Sequence, residues 1–438
     1  MIQHASGGND NDRCGRRPEG STVNADLDLL VRLDSHDTPQ SVAERARLAE
    51  SLGFSRVTMG ETTGWNVVPV LTLVADRTTD IGISNDVISP FGRSPAMLAQ
   101  TALTLQEVSD GRYRIGLGPS SPAITERWHG SAFDRPLRRT RETIEIIRAV
   151  YENGTPAYEG EIFDIAGLDY ERDLPERPPP IDVATLGPKA TEMAGRFGDG
   201  WAPQLFTADG LEARLEDVER GADLAGRDRS ALRVSPIVRG IASEDRERAR
   251  RLARSTLAFM LGAYGPYYGD SVAEQGYRSV VSKIRAAWSE RDTEAMAAAL
   301  PDELLDELAP AGTPEEVRDW VESYAAIDGV DAVRVGSVRG ATEEDIERTM
   351  ERSENSSETA FSRGQKRADT TDRDDPIQSA SAGLVPSRSL TRPTSELAAT
   401  RFSPTIAPTT PPMAPPVLAP FLLTNPPIAA PIAAPIAA

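Results

Sequence analysis

The stretch Ile81-Gly82-Ile83-Ser84-Asn85-Asp86-Val87-Ile88 is followed by Ser89-Pro90-Phe91-Gly92-Arg93-Ser94-Pro95 and, one helix later, by Arg112-Tyr113-Arg114-Ile115-Gly116-Leu117. Two short apolar runs, each too short for a helix, flank a segment whose Leu98, Ala102 and Leu105 fall at helical spacing. Asp110-Gly111 closes that helix. Two strands joined through a helix rather than a tight turn run parallel, so the stretch reads as a βαβ unit.

The same alternation continues in both directions. Towards the N-terminus it gives strands over Phe54–Met59 and Leu27–Leu33, and helices over Val67–Arg77 and Pro39–Leu52. The latter carries Val42, Ala46 and Ala49 on one face and is ended by Gly53. Towards the C-terminus come a helix over Leu137–Tyr151 with Ile144, Ile147 and Tyr151 on one side, and a hairpin over Tyr158–Ile165 turning near Glu159-Gly160. Ile181–Thr185, Gly200–Ala202 and Leu232–Ile241 supply strands five to seven, a helix follows over Glu244–Leu261, and Val330–Gly336 is the eighth strand. Thr313-Pro314-Glu315-Glu316 is a capping-box start for the helix before it, and Thr342 caps a last helix over Thr342–Met350. Eight strands alternating with helices predict an α/β chain, a (β/α)8 TIM barrel over residues 24–353. Residues 262–312 break the alternation, with helical pieces at Val272–Trp288 and Glu294–Leu300. They read as an insertion that either shapes the catalytic face or forms a peripheral helical pair.

Composition bounds the rest. The ends, 1–23 and 354–438, are each electrically neutral, so the formal charge of −19 sits on the barrel. Such a surface repels nucleic-acid phosphates. Only three of the 48 Lys and Arg residues are lysine (Lys189, Lys283, Lys366), and this acidic, lysine-poor balance resembles proteins of haloarchaeal cytoplasm. A lone Cys14 allows no intrachain disulfide, and His4, His36 and His129 are too scattered for a histidine metal cluster, so no metal is expected. No signal-peptide core and no run of about 18 apolar residues is present, which predicts a cytoplasmic protein without a membrane partner. The polar start (1–23) and the Ser-, Thr-, Pro- and Ala-rich tail (354–438), ending in a threefold Pro-Ile-Ala-Ala repeat, are expected to be disordered. The tail suits a linker or a read-through extension equally.

In a (β/α)8 barrel the chemistry lies at the C-terminal strand ends. Those ends present His36-Asp37, Gly60-Glu61-Thr62, Asn85-Asp86-Val87-Ile88, Gly116-Leu117-Gly118-Pro119-Ser120 with His129 beyond, and Gly187-Pro188-Lys189-Ala190. Gly116 and Gly118 either admit a ligand close to the backbone or only make tight turns. Gly187-Pro188 opens a helix whose free N–H groups favour an anion, beside the Lys189 point charge.

Four motifs in this order resemble the luciferase-like superfamily over residues 26–352, and within it the deazaflavin (coenzyme F420)-dependent oxidoreductases related to methylenetetrahydromethanopterin reductase. They are Ile88-Ser89-Pro90-Phe91-Gly92-Arg93-Ser94-Pro95, Glu107-Val108-Ser109-Asp110-Gly111-Arg112, Gly116-Leu117-Gly118-Pro119 and Gly187-Pro188-Lys189-Ala190-Thr191-Glu192-Met193-Ala194. The resemblance implies a non-prolyl cis peptide at Asp86-Val87, in a bulge that backs the deazaflavin ring. It also implies coenzyme contacts from Asp86, Val87, Ile88, Gly116, Gly118, Ser120, Gly187, Pro188, Lys189 and Ala190. The sequence departs from the family where an Asp-His pair is common after strand two, since Glu61-Thr62 stands there, and Leu29–Leu33 offers no strand-one carboxylate.

The expected activity is hydride transfer between coenzyme F420 and a small organic substrate. Glu61 is the first candidate for proton transfer, His36 and His129 are the alternates, and Trp65 and Trp128 either wall the ring or, more commonly for such residues, pack in the core. Two other readings stand beside it, an FMN-dependent monooxygenase on the same barrel and a non-catalytic deazaflavin-binding protein. A homo-oligomer is compatible with any of the three. Because the tail contains no apolar period, a chain ending at Arg352 should keep the melting temperature of the full chain in high salt, as read by differential scanning calorimetry.

Overall fold

The computed structural model of the chain describes residues 25–31 and 37–351. The N-terminal segment, His36, and the tail beyond lie outside the described residues. In chain order the strands are β1 (Asp26–Val31), β2 (Arg56–Met59), β3 (Gly82–Asn85), β4 (Tyr113–Leu117), β5 (Tyr158–Glu159), β6 (Asp164–Ile165), β7 (Ile181–Val183), β8 (Gly200–Trp201), β9 (Arg233–Val234), β10 (Ile237–Ala242), β11 (Ala311–Gly312) and β12 (Ala332–Ser337). β5 and β6 form the expected antiparallel hairpin. The other ten make one sheet of parallel pairings in the order β11-β10-β12-β1-β2-β3-β4-β7-β8-β9.

The sheet closes between β8 and β12, because β9, paired with β8, and β10, paired with β12, are separated by only Ser235-Pro236. Ser235 N–H donates to the Trp201 carbonyl (2.9 Å), and the Pro236 carbonyl accepts from Arg334 N–H (2.8 Å). A parallel bridge between Gln204 and Ile237 extends the contact. The seventh barrel strand, expected to be continuous over Leu232–Ile241, is therefore two strands that serve different neighbours, and a proline without an N–H marks the change. The fold is a TIM barrel.

Along each strand the period of two separates the environments. Leu27, Leu29 and Val31 join the main core against the surrounding helices, while Leu30 clusters with Ala184, Ala202 and Ile237. The helix Pro95–Val108 buries Leu98, Ala102 and Leu105 as its spacing requires, and Val67–Arg77 falls where its sequence places it. A helix over Ala208–Leu224 was not foreseen, although Leu211, Leu215, Val218 and Ala222 form its buried stripe.

The insertion builds a second core, in which Leu257 and Leu261 pack with Val281, Ile284, Met296, Leu300 and Leu304. Its expected helix over Val272–Trp288 is broken. Gly276 has φ +102°, a π turn occupies Ala273–Tyr277, and a regular helix resumes over Arg278–Ser289. The insertion meets the strand ends directly: Tyr268 O–H donates to Gln204 Oε1 (3.0 Å), and Gln275 bonds the Leu205 carbonyl (3.0 Å) and the Thr207 N–H (2.9 Å). The Tyr267 ring lies 6.2 Å from Phe133, which stacks on Phe91 at 5.1 Å.

Both expected caps form. Thr313 and Glu316 exchange hydrogen bonds. Thr342 and Asp345 do the same, and the Asp345 carboxylate also receives both Arg248 Nη groups at 2.9 and 2.8 Å. Burial pushes the Asp345 carboxyl up, but the hydrogen bonds from Arg248 and Thr342 outweigh it and bring it down to about 2. A depressed carboxyl contributes stability above its unfolded pKa and loses it as pH falls through the folded value. Asp345→Asn should thus cost about 1–3 kcal/mol at pH 7, and the difference should close between roughly pH 4 and 2, as measured by chemical denaturation across that range.

Candidate functional site

The C-terminal mouth is organised around the segment that leaves β3. The Asp86-Val87 peptide is cis, as the resemblance implies. Regular pairing stops at Asn85 and resumes as a single bridge from Ile88 to Leu117, so the strand expected to run to Ile88 ends in a bulge. Asp86 N–H donates to the Met59 carbonyl (2.6 Å), Glu61 N–H to Val87 (3.4 Å), and Ile88 N–H to Gly116 (2.9 Å). The bulge is thereby tied to the ends of both β2 and β4.

Glycines make these approaches feasible. A Cβ on Gly60 would sit 2.9 Å from the Asp86 carbonyl oxygen, and one on Gly118 would sit 2.8 Å from Val87 Cγ2 and 3.3 Å from the Ala184 carbonyl. At Gly116 the space is filled by the Asn85 carbonyl, 2.1 Å from where a Cβ would lie. Protein atoms, then, occupy the room left by Gly116 and Gly118, and the loop after β4 closes against both the bulge and the end of β7. Ser120 turns this loop with φ +65°.

Three residues past Ala184 the helix Pro188–Phe197 begins at Gly187, which caps it without a side chain. Ala190 and Thr191 N–H groups return to the Gly187 carbonyl (3.0 and 2.9 Å). Among the described residues none beyond the chain neighbours of Gly187 comes within 4 Å of a Cβ built there, Lys189 is exposed, and no acidic residue occupies the first turn. A helix start with open space and a cation suits an anionic group.

Glu61 lies beside the bulge but is not alone. Arg93 bonds both of its carboxylate oxygens, with Nη2 2.7 Å from Oε1, and Val67 N–H reaches Oε1 at 3.3 Å. Arg93 also contacts Asn66 (3.2 Å). His129 lies against Gly92, its Cε1 2.9 Å from a Cβ position there. Core packing is excluded for both tryptophans: Trp65 is 48% and Trp128 60% exposed, and Trp65 Nε1 donates to the Asp37 carbonyl (2.9 Å).

Below the apolar layer the barrel axis holds charge that sequence reading missed. Asp28 of β1, Asp182 of β7 and Arg334 of β12 are buried, and Arg334 reaches Asp86 (2.6 Å), Asp182 (2.8 Å) and Asp28 (3.7 Å). Arg233 pairs with Asp28 (3.0 Å) and Asp26 (2.8 Å), and Arg114 pairs with Asp182. Burial pushes the Asp182 carboxyl up, and Arg114 and Arg334 more than reverse it, holding it well below the carboxylate range. Gly200 faces this layer, because a Cβ there would lie 2.3 Å from Asp182 Oδ1. The signal was present in the sequence as one charged residue at an inward position of otherwise apolar strands, as in Ile181-Asp182-Val183 and Ala332-Val333-Arg334-Val335.

The chain is 30% identical over 299 residues to a 5,10-methylenetetrahydromethanopterin reductase of Archaeoglobus fulgidus, covering 67% of this chain and 88% of that one. It is 29% identical over 312 residues to a putative coenzyme F420-dependent oxidoreductase of Mycobacterium tuberculosis, covering 66% and 88%. The solved coenzyme F420-dependent tetrahydromethanopterin reductase of Methanopyrus kandleri superposes with a TM-score of 0.65 at 23% identity, over 77% of this chain and 99% of that one. Residues 20–331 match the profile described as luciferase-like monooxygenase, and the chain belongs to that family.

Proposed function

We propose that the protein is a coenzyme F420-dependent oxidoreductase that passes a hydride between the deazaflavin and a small organic substrate at the C-terminal mouth of the barrel. One observation carries the reading: the bulge Asp86-Val87-Ile88 and the loops after β4 and β7 converge in one place, in a chain whose relatives include F420-dependent enzymes. The residues present fit the coenzyme, since the Gly187 turn leaves open space beside the Lys189 cation and two half-exposed tryptophans stand near the mouth. The acidic, lysine-poor composition supports a haloarchaeal type of protein working in a salt-rich cytoplasm.

When bound, a deazaflavin supplies a hydride from a ring carbon and reacts poorly with oxygen. The task of the chain is to hold, orient and dry the reacting groups. Lys189 and the first turn of the helix at Pro188 are assigned to the anionic part of the coenzyme, and the bulge, with Ser120 and Gly118 opposite, to the ring side. Glu61 is assigned to proton exchange, oriented by Arg93. A carboxylate has about four acceptor sites. Arg93 takes one on each oxygen and Val67 N–H a second on Oε1, which leaves Oε2 a site for a proton or a water. His129 and His36 are the alternates, the latter outside the described residues.

Lys189→Ala should weaken coenzyme F420 binding by about 1–3 kcal/mol, read by fluorescence titration in molar salt; normal binding would remove the assignment of Lys189 to the anionic part of the coenzyme. Glu61→Gln keeps the shape but cannot exchange the proton. It should lower turnover while leaving coenzyme affinity within about twofold, and unchanged turnover would move proton transfer to a histidine or a bound water. Mass spectrometry of the natively purified protein separates the alternatives. FMN in place of F420 would identify a monooxygenase, and bound F420 without oxidation of its reduced form by any acceptor would identify a binding protein.

A further inference from the structure

We infer that Arg334 is a positioning residue for the coenzyme, acting from the barrel axis through the Asp86 carboxylate on the floor of the mouth. The inference rests on the proposed coenzyme site. Arg334 is fully buried on β12, across the barrel from the end of β3, and its Nη1 lies 2.6 Å from Asp86 Oδ2. Two of its three carboxylates have a second cation in ion-pair contact, Asp28 with Arg233 and Asp182 with Arg114, whereas Arg239 acts on Asp86 more weakly than Arg334 does. The distinctive contribution of Arg334 is therefore to Asp86.

Stability alone is a poor account of this arrangement. Desolvating an ion pair offsets most of its Coulombic gain, and apolar residues of similar volume commonly replace such pairs without loss. Barrel interiors are ordinarily filled by layers of Val, Ile and Leu. What a buried pair does supply is a fixed position. Asp86 donates its N–H to Met59 and fits its carbonyl against Gly60, and Val87 next to it packs on Gly118 and accepts from Glu61 N–H. A movement of Asp86 consequently displaces the bulge together with the loops after β2 and β4, where the proposed ring contacts and Glu61 reside. Burial holds the Asp86 carboxyl above its usual range even beside Arg334, the largest opposing influence, so removal of the guanidinium takes away its hydrogen-bond partner and shifts it further toward the neutral acid.

The test uses the full chain with coenzyme F420 as the probe, reading its dissociation constant by fluorescence and its seating by the visible circular dichroism of the bound ring. Arg334→Met and Asp86→Asn should each weaken binding on the order of tenfold or more and reduce the induced signal. Arg334→Lys should recover part of both, which a general loss of packing would not reproduce. Asp345→Asn, which removes a buried carboxylate whose partner Arg248 does not belong to the axial group, should change neither by more than about twofold. If Arg334→Met does not fold by far-ultraviolet circular dichroism, Asp86→Asn decides the matter. A folded Arg334→Met or Asp86→Asn protein with parental affinity and an unchanged ring signal overturns the inference. Failure of the parent itself to bind F420 overturns the coenzyme assignment instead; the same variants are then read with FMN, and a parent that binds neither overturns both.

Discussion

A closed barrel of short parallel strands has to fill its axis, and here the axis is filled with ions. Arg334 sits among Asp28, Asp86 and Asp182, flanked by Arg114 and Arg233. Arg334 and the three carboxylates are withdrawn from solvent while Arg114 and Arg233 keep 13% and 19% of their side chains exposed, so the buried members depend on one another and cannot be removed singly at low cost. Strands β1, β4, β7, β9 and β12 and the end of β3 are all tied into it. The register of the sheet, with Asp28 opposite both Arg56 and Arg334, and Asp182 opposite Gly116 and Gly200, is what brings these groups to one level. The bulge at the mouth is thus attached downward to the axis as well as sideways to its neighbouring strands.

Much of the architecture was legible because it depends on local periodicity. The helices over Val67–Arg77 and Pro95–Val108, the hairpin at Tyr158–Ile165 and the caps at Thr313 and Thr342 follow from residue spacing and from side chains that bond nearby backbone. Apart from the helix over Ala208–Leu224, whose apolar stripe stood in the sequence, what escaped was set by contacts distant in sequence. The division of the seventh strand depends on β8 and β12 drawing it in different directions, although Pro236 was its visible mark. The break at Gly276 depends on the insertion folding around its own core.

The site was legible to a different degree. Motifs located the bulge and the loops after β4 and β7, because glycines at close approaches and a helix start leave local signatures. The partners were not legible. Arg93 is 32 positions from Glu61 and Arg334 is 248 from Asp86, and nothing short of the barrel's curvature joins them. Trp65 and Trp128 show the converse error, since their size suggested burial and the strand ends hold them at the surface.

The second hydrophobic cluster gives the insertion a degree of autonomy. Leu257, Leu261, Ile284 and Leu304 are packed among themselves, and the segment touches the barrel's mouth through a few side chains such as Tyr268, Gln275 and Tyr267. The cluster also takes in Leu205, Ile241 and Val338 of the barrel, so the insertion is joined to the barrel there and at the mouth, and its outward face is the part whose substitution leaves both junctions in place. A segment with its own core can be altered on its outward face without unfolding the barrel beneath it, whereas a change at Tyr267 or Tyr268 is felt at the mouth.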